Sequence, residues 1–351
     1  MAYTTIKKPS DYFNTLLYSG NNTAQRQLTG VGFKPDLVWI KGRSGTYGAY
    51  GHFLFDAVRG VGKQIFTNNS NAESTNLNNL YSFNSDGFSL GQSGVDAVTN
   101  GSSTEFVSWN WLASNGTASN TNGSITSTVS VNTTSKFSIG KWLGNSSASA
   151  TVGHGLGTTP SVIITKELNG TDWWHVWHKD LTNPNNMFLN TNSAQQAPGD
   201  GTISNVGSST FGFQGATNVI AVNQSGINNV FYCFAEVKGF SKFGSYFGNG
   251  SSNGTFVYTG FKPAFIILKN TTNYDWHIFD NTRNGYNLSN SSLKTNSSGA
   301  EYTFDDVSVD LLSNGFKLRG TDIAINQNGT KHIFMAFAEE PLVGDNPATA
   351  R

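Results

Sequence analysis

One short segment occurs three times in the chain, and this repetition constrains the fold more than any other feature. In each copy a glycine-rich stretch leads to a proline, an apolar run and a lysine, and the proline and lysine are six residues apart. The three proline–lysine segments are Pro35–Lys41, Pro160–Lys166 and Pro263–Lys269. This constant spacing predicts a chain built from tandem copies of one structural unit.

Other segments recur in the same order around the proline–lysine segment. An aromatic residue two positions before a Gly-Asn pair opens each copy, at Tyr18, Trp142 and Tyr246. A middle apolar segment follows the proline–lysine segment, and an alternating aromatic segment closes each copy. The closing segments are Val107–Trp111, Val230–Phe234 and Ile333–Phe337. Alternation with a period of two residues predicts β-strands, and no segment longer than a turn or two has helical spacing.

These patterns predict an all-β protein of three tandem β-sandwich, jelly-roll-like repeats of about 100 residues each. Units of that length exceed the roughly 20–45 residues of most solenoid repeats. Six to eight short strands in each repeat, separated by turn signals, favour a sandwich over a four-stranded propeller blade. The predicted boundaries are an N-terminal tail (1–12), repeat 1 (13–113), a polar linker (114–136), repeat 2 (137–238), repeat 3 (239–340) and a C-terminal tail (341–351).

Composition narrows the class of protein and its partners. Charged residues are 13% of the chain and aromatic residues are also 13%, which is typical of a folded β-rich protein with a neutral polar surface. The 22 basic and 22 acidic residues cancel, and no basic cluster exists, so we expect no nucleic-acid binding. No stretch approaches the roughly 20 apolar residues of a membrane span, so we expect no membrane insertion.

Two further features concern the compartment. Cys233 is the only cysteine, so an intrachain disulfide is impossible and we expect assembly in a reducing cytoplasm. The first residues lack the apolar core of a signal peptide, so we expect release by lysis rather than by secretion.

The combined pattern resembles a repeated, functionally uncharacterised domain of marine bacteriophage virion structural and tail-fibre-like proteins. The residues that carry the resemblance are Tyr18–Asn21, Thr29–Lys41, Phe83–Leu90, Val152–Gly157 and Phe234–Tyr246. The resemblance covers about residues 13 to 340 and implies a virion protein without agreed catalytic residues. We therefore expect no catalytic residue, no cofactor and no metal, with other virion proteins as partners and a homo-oligomeric state.

The best candidate for a binding residue is Trp173, in the segment Asp172–His178 with its three tryptophans and two histidines. Tryptophan faces beside polar groups commonly hold sugar rings, so we consider Trp173 a candidate glycan contact. Trp174 and Trp177 alternate along the predicted strand, so at least one of them should be in the core. His175 and His178 should point to opposite strand faces, which argues against joint metal binding.

The remaining candidates have simpler structural explanations. The recurrent lysines Lys41, Lys166 and Lys269 lack a recurrent partner group for catalysis, so we expect strand-end lysines that extend their ammonium groups to solvent. The acidic pairs Asp305–Asp306 and Glu339–Glu340 lack the loop pattern of a calcium site. Glycosidases need two opposed carboxylates, which a sequence cannot show.

The leading hypothesis is a non-enzymatic phage virion protein, such as a tail fibre, an appendage or a capsid-surface component. It presents β-modules to the host or to other virion proteins, and is made in the host cytoplasm. The first alternative is a lectin-like protein that binds host glycans, and the second is a glycan depolymerase. A local function should lie where the copies differ most, in the loops 42–51, 167–173, 191–209 and 285–303.

Overall fold

The computed structural model describes residues 4–92, 98–182, 185–197, 199, 202–214 and 222–349. Within these ranges nearly all of the regular secondary structure is β-strand, in several antiparallel sheets, which confirms the all-β sandwich prediction. Helical structure is limited to single turns, namely α1 (Asn281–Asn284), α2 (Ile323–Asn326) and 3-10 turns at Pro9–Asp11 and Val98–Asn100.

The described strands follow the three sequence repeats. Repeat 1 contains β1 (Phe13–Ser19), β2 (Arg26–Thr29), β3 (Leu37–Gly42), β4 (Phe53–Asp56), β5 (Lys63–Phe66), β6 (Ser74–Thr75), β7 (Ser82–Asn84), β8 (Gly87–Leu90) and β9 (Glu105–Trp111). The segment before repeat 2, together with repeat 2 itself, contains β10 (Ala118–Asn120), β11 (Ser127–Asn132), β12 (Phe137–Leu143), β13 (Thr151–Gly153), β14 (Val162–Glu167), β15 (His175–His178), β16 (Met187–Phe188), β17 (Thr202–Ser204), β18 (Thr210–Gln214) and β19 (Asn228–Phe234). Repeat 3 contains β20 (Ser241–Phe247), β21 (Phe256–Tyr258), β22 (Phe261–Asn270), β23 (Trp276–Asp280), β24 (Ser291–Lys294), β25 (Tyr302–Thr303), β26 (Val309–Leu312), β27 (Gly315–Leu318) and β28 (Lys331–Pro341).

Each repeat consists of one large and one small antiparallel sheet. The large sheets have the strand orders β1-β9-β3-β4-β5-β6, β10-β11-β12-β19-β14-β15-β16 and β20-β28-β22-β23-β24-β25. The small sheets have the orders β2-β8-β7, β13-β18-β17 and β21-β27-β26. The same pairing recurs in all three repeats, because the closing strand lies between the opening strand and the proline strand each time.

Both faces of the large sheets are buried, and each face has a different neighbour. In β3, Val38 and Ile40 point into a core that belongs to repeat 1, whereas Leu37 and Trp39 point into a second core. Repeats 2 and 3 have cores of their own in the same place. The second core is shared, because residues of all three repeats form it. A short continuous apolar run is the expected sequence for a strand covered on both sides.

Aromatic rings dominate the centre of this shared core. Phe13 of repeat 1 contacts Phe265 and Phe337 of repeat 3, with ring centroids 5.5 and 5.4 Å apart. Phe234 of repeat 2 contacts Phe337 at 5.6 Å. The burial of these large rings is a strong contribution to stability, since each aromatic side chain removes about 150–250 Å² from water.

Backbone hydrogen bonds join the repeats into a closed ring. Three equivalent amides each donate to a carbonyl of the next repeat, and the third repeat donates back to the first. These bonds are Glu73 N to Leu168 O (2.7 Å), Gln195 N to Thr271 O (2.9 Å) and Glu301 N to Arg43 O (2.8 Å). The three sandwiches therefore form one packed body rather than separate beads.

The segments outside the repeats also pack on this body. Residues 114–136, predicted to be a linker, contain β10 and β11, which extend the second large sheet beside β12. In the described part of the N-terminal segment, Ile6 is buried in the shared core. In the C-terminal segment, the Asp345 amide donates to the Lys7 carbonyl at 3.3 Å, so the two described ends lie together.

Candidate functional site

Trp173, the predicted glycan contact, lies at the surface just before β15. Its side chain is 49% exposed, and its ring meets Phe188 edge to face with centroids 4.6 Å apart. The next residue, Trp174, is fully buried in the shared core, which confirms that one of the strand tryptophans belongs to a core. A half-exposed tryptophan ring that packs on Phe188 is a suitable surface for a ligand. The assignment of Trp173 as a glycan contact stays a prediction.

Of the other sequence candidates, only His175 lies beside Trp173, since both rings pack on Phe188. His175 and His178 are buried, and their rings contact Asn186 and the Phe334 carbonyl respectively. Asp306 and Glu339 line two different cavities of repeat 3, so the two acidic pairs do not share one cleft. Among the described residues, no group of three or more His, Cys, Asp or Glu side chains is placed to hold a metal ion.

The recurrent lysines correct one prediction. Lys41, Lys166 and Lys269 do not extend to solvent, because their exposed fractions are 0%, 1% and 0%. The loop after each strand folds over the ammonium group and offers backbone carbonyls. Each ammonium donates to the carbonyl of the following residue, at 2.7, 2.8 and 2.7 Å, and to a second loop carbonyl.

Burial lowers the pKa of Lys41 and Lys269 to about 7 and that of Lys166 to about 8. Lys41 also donates to Ser298 O of repeat 3 at 3.3 Å. The described hydrogen bonds of all three lysines go to carbonyls of the protein itself, so we assign these lysines a role in holding the hairpin loops closed.

Repeat 1 contains a buried ionic network that the sequence analysis missed. Arg59 donates to Asp56 in the same turn, to Glu73 at 3.1 Å and to the Leu54 carbonyl at 2.9 Å. The side chains of Asp56 and Arg59 are 0% and 1% exposed. Burial opposes a charge on Arg59, but the adjacent Asp56 carboxylate raises the arginine pKa above its usual value. We call this set of three residues the ionic triad.

Repeat 3 contains the same triad at equivalent positions. Arg283 donates to Asp280 at 2.6 Å and to Glu301 at 2.8 Å, and Glu301 also pairs with Arg43 of repeat 1 at 2.8 Å. The detectable signal was the pattern Phe-Asp-x-x-Arg at Phe55–Arg59 and Phe279–Arg283, followed in both copies by Ala-Glu.

Repeat 2 replaces every member of the triad. Its equivalent positions hold His178, Leu181 and Gln195, so the acid, the base and the second acid are all absent together. Leu181 lies in the shared core, and the Gln195 side-chain oxygen accepts from the Thr182 amide at 3.4 Å. The replacement of a complete charged set by uncharged residues avoids an uncompensated buried charge.

The triad also contacts the next repeat around the ring. The Tyr232 hydroxyl of repeat 2 donates to Asp56 at 2.7 Å, and the Trp109 indole of repeat 1 donates to Asp280 at 3.0 Å. The equivalent residue of repeat 3 is Met335, which has no N–H or O–H to donate. The acceptor carboxylate is absent at that interface, where His178 stands instead. The triads therefore stabilise contacts between repeats.

A large surface cavity lies in repeat 3 at its border with repeat 2. We call it the Tyr302 cavity, and its volume is about 500 Å³. It is lined by Asn192, Asn273, Tyr274, Asp275, His277, Lys294, Tyr302, Phe304, Asp306, Val307, Asp322, Ile323 and Ala324. Asn192 and Tyr302 lie in two of the loops predicted to differ between copies; residues 198, 200 and 201 of the same predicted loop lie outside the described residues.

The polar groups of the Tyr302 cavity are ordered by mutual contacts. Lys294 pairs with Asp275 at 2.8 Å and lies 5.1 Å from the centre of the Tyr302 ring. Burial works against the Asp275 charge, but its hydrogen bond with Lys294 holds the carboxyl pKa below its usual value. The Tyr302 hydroxyl contacts His277 Nδ1 at 3.0 Å, and burial lowers the His277 pKa to about 3, so this ring is neutral at pH 7.

The chain matches one family of proteins whose function is unknown. The model of a family described as a domain of unknown function (DUF7483) matches residues 8–341, and thus nearly all of the chain. The chain belongs to this family. The single match spans all three repeats of the closed ring. No curated protein and no solved structure matches the chain. Among the described residues, no helix has the length and apolar character needed to cross a membrane.

Proposed function

We propose that this DUF7483 protein is a non-enzymatic structural component of a phage virion, such as a tail fibre, an appendage or a capsid-surface protein. Its modules attach to other virion proteins, in a homo-oligomer, and present a surface to the host. It is made in the host cytoplasm and leaves by lysis within the particle.

The observation that carries this proposal is the closed ring of three sandwiches around one shared core. A component of a particle must keep its shape outside the cell, where no chaperone or metabolism can restore it. Backbone hydrogen bonds from each repeat to the next resist the separation of any one repeat from the ring. The buried triads add a penalty to partial opening, because opening would remove the partners they have in a neighbouring repeat: Arg43 for Glu301, Tyr232 for Asp56 and Trp109 for Asp280.

A second observation supports a non-enzymatic role. The carboxylates of Asp56 and Asp280 are fully buried and contact an arginine together with a tyrosine or tryptophan. A carboxylate in this position has no access to a solute and acts as a structural anion. The resemblance to virion proteins supplies the biological setting of the proposal.

The test is the composition of purified particles. We expect peptides of this protein in mass spectra of gradient-purified virions, at a constant ratio to the major capsid protein. Antibody-labelled particles should show it on the tail or the capsid surface. If the protein is absent from purified particles but present in the lysate, the proposal is wrong.

The second candidate function is the binding of host glycans, which the half-exposed ring of Trp173 favours. We expect the purified protein to bind host envelope glycans on an array, and Trp173→Ala to reduce the signal at least about tenfold if this ring is the platform. If the wild-type protein binds none of the host envelope fractions, this result would count against glycan binding. Equal binding by both proteins would exclude Trp173 as the contact.

A further inference from the structure

The three repeats treat one surface position differently, and this difference opens the Tyr302 cavity. In repeat 1, Phe53 and Phe66 are paired across β4 and β5, with ring centroids 5.0 Å apart. In repeat 2, the equivalent pair is His175 and Phe188, with centroids 5.1 Å apart. In both repeats a phenylalanine of the outer strand, β5 or β16, packs on the ring of the neighbouring strand.

In repeat 3 the equivalent pair is His277 and Lys294. Lys294 leaves the position that phenylalanine fills elsewhere, because its ammonium group pairs with Asp275. Asp275 itself stands where repeat 2 has Trp173. Relative to repeat 2, two apolar rings have been replaced by an ion pair, whereas repeat 1 has Phe66 and Gly51 at these positions. A space of about 500 Å³ lies over His277. That volume is within the range of about 300–1,000 Å³ that is usual for small-molecule sites.

A buried histidine lies beneath the cavity. His277 is 2% exposed and lines the cavity, and its Nδ1 contacts Tyr302 and Ser292. Its Nε2 has no hydrogen-bond partner among the described residues. This nitrogen is itself buried, so the polar groups that a ligand contacts are those of the cavity walls.

The walls of the cavity combine aromatic and polar surface. Tyr302 is partly buried, Phe304 is 61% exposed, and the two rings lie 5.6 Å apart and tilted. Around them stand two amides, Asn192 and Asn273, and three carboxylates against the single ammonium of Lys294. With His277 neutral, the described residues of the lining carry a net charge of −2, which disfavours an anionic ligand.

We infer that the Tyr302 cavity is a binding site for a neutral pyranose sugar. The apolar C–H face of the sugar packs on the exposed Phe304 ring and the edge of Tyr302. Its hydroxyls hydrogen-bond to the amides and carboxylates, which are good partners because a hydroxyl both donates and accepts. This site differs from the Trp173 surface of repeat 2, and it extends the proposed attachment function, on which its biological role rests.

The test uses the purified full-length protein and four probes: glucose, galactose, mannose and N-acetylglucosamine. Ligand-observed saturation-transfer NMR and calorimetric titration should detect at least one, with a dissociation constant on the order of 1 mM for a single ring. Glucuronic acid should bind at least about tenfold more weakly than glucose, because its carboxylate meets the negative lining. If none of the four neutral sugars binds, or if glucuronic acid binds as well as glucose, the inference fails.

Three variants locate the site. Phe304→Ala removes the exposed ring without touching a core and should weaken binding at least about tenfold. Lys294→Phe restores the residue type of the other repeats, places a ring beside His277 and removes the cation that orders Asp275, so it should weaken binding at least about tenfold while the far-UV spectrum is kept. The matched control is Phe256→Ala, an exposed ring of the same repeat outside the cavity, which should leave binding unchanged.

Loss of binding in Phe256→Ala equal to that in Phe304→Ala, or full binding by Lys294→Phe, would overturn the assignment. The sugar titrations use isolated protein, whereas the virion proposal is decided on purified particles. A failure of one is therefore distinguishable from a failure of the other.

Discussion

The ionic triad of repeat 1 allows a sharp test of how the ring is held together. We consider Arg59→Leu, which installs the residue that repeat 2 has at the equivalent position, Leu181. The change removes the donors to Asp56, Glu73 and the Leu54 carbonyl. Asp56 keeps the Tyr232 hydroxyl at 2.7 Å and the residue 59 amide at 2.8 Å, but it loses its only compensating charge within the triad.

The expected cost follows from burial. The Asp56 side chain is 0% exposed, so the carboxylate remains as an unpaired charge in the interior. Removing one partner of a buried ion pair typically costs about 3–5 kcal/mol, and we expect the free energy of unfolding to fall by this amount. The triple variant Asp56→His/Arg59→Leu/Glu73→Gln copies the complete set of repeat 2, leaves no charge behind, and should lie within about 2 kcal/mol of the wild type.

Urea unfolding followed by tryptophan fluorescence measures these differences. Arg319→Leu is the matched control: it is also an arginine-to-leucine change, but Arg319 pairs with Asp310 at the surface and is 42% exposed, so its loss should cost less than about 1 kcal/mol. A cost below about 1 kcal/mol for Arg59→Leu would refute the reasoning. A triple variant as unstable as the single one would refute it equally, because the residues would then not act as a set.

Three further predictions rest on buried polar groups. Acidification from about pH 7 to about pH 5 should lower the free energy of unfolding, measured by urea titration at each pH. Burial lowers the pKa of His277 to about 3 and that of His178 to about 4. Below the unfolded histidine pKa of about 6.5, the unfolded chain therefore binds more protons than the folded protein. The free energy of unfolding should fall by up to ~1.4 kcal/mol for each pH unit and for each of these histidines. His277→Asn should reduce this slope. Cys233 is fully buried and burial raises its thiol pKa, so a thiol reagent should label it only after unfolding, and rapid labelling of the native protein would contradict its placement. Trp276→Phe should cost about 1–3 kcal/mol in urea unfolding, since it leaves the Phe188 carbonyl without the indole donor at 2.9 Å, whereas Trp173→Phe at the surface should change little.

The sequence was sufficient for the strands because their signal is local. The closing segments Val107–Trp111, Val230–Phe234 and Ile333–Phe337 all lie within closing strands of the large sheets. Alternation shows that a strand has two different faces, and a continuous apolar run shows that both are covered. Neither pattern states which element covers a face, so the shared core of the three repeats did not follow from the sequence.

The buried lysines show that the sequence is also insufficient to predict the environment of a single side chain. A lysine at the end of an apolar strand has the same sequence context whether its ammonium reaches solvent or is covered. What decides between these outcomes is the path of the next few loop residues, such as Gly48 above Lys41. A turn that presents carbonyls inward makes burial possible, and this depends on backbone geometry that composition does not encode.

Differences between the repeats fall into two physical kinds, and the distinction bears on function. The replacement of the triad by His178, Leu181 and Gln195 is explained by packing, because Met335 provides no donor across that interface and a lone charge there would be costly. The replacement of Phe188 and Trp173 by Lys294 and Asp275 has no such explanation. Relative to repeat 2, it removes two apolar rings and leaves a space of about 500 Å³, which sacrifices burial. A change that lowers packing without relieving strain or an unpaired charge indicates selection for something other than stability. Among the described residues, the Tyr302 cavity is therefore the place where we expect this chain to contact its ligand.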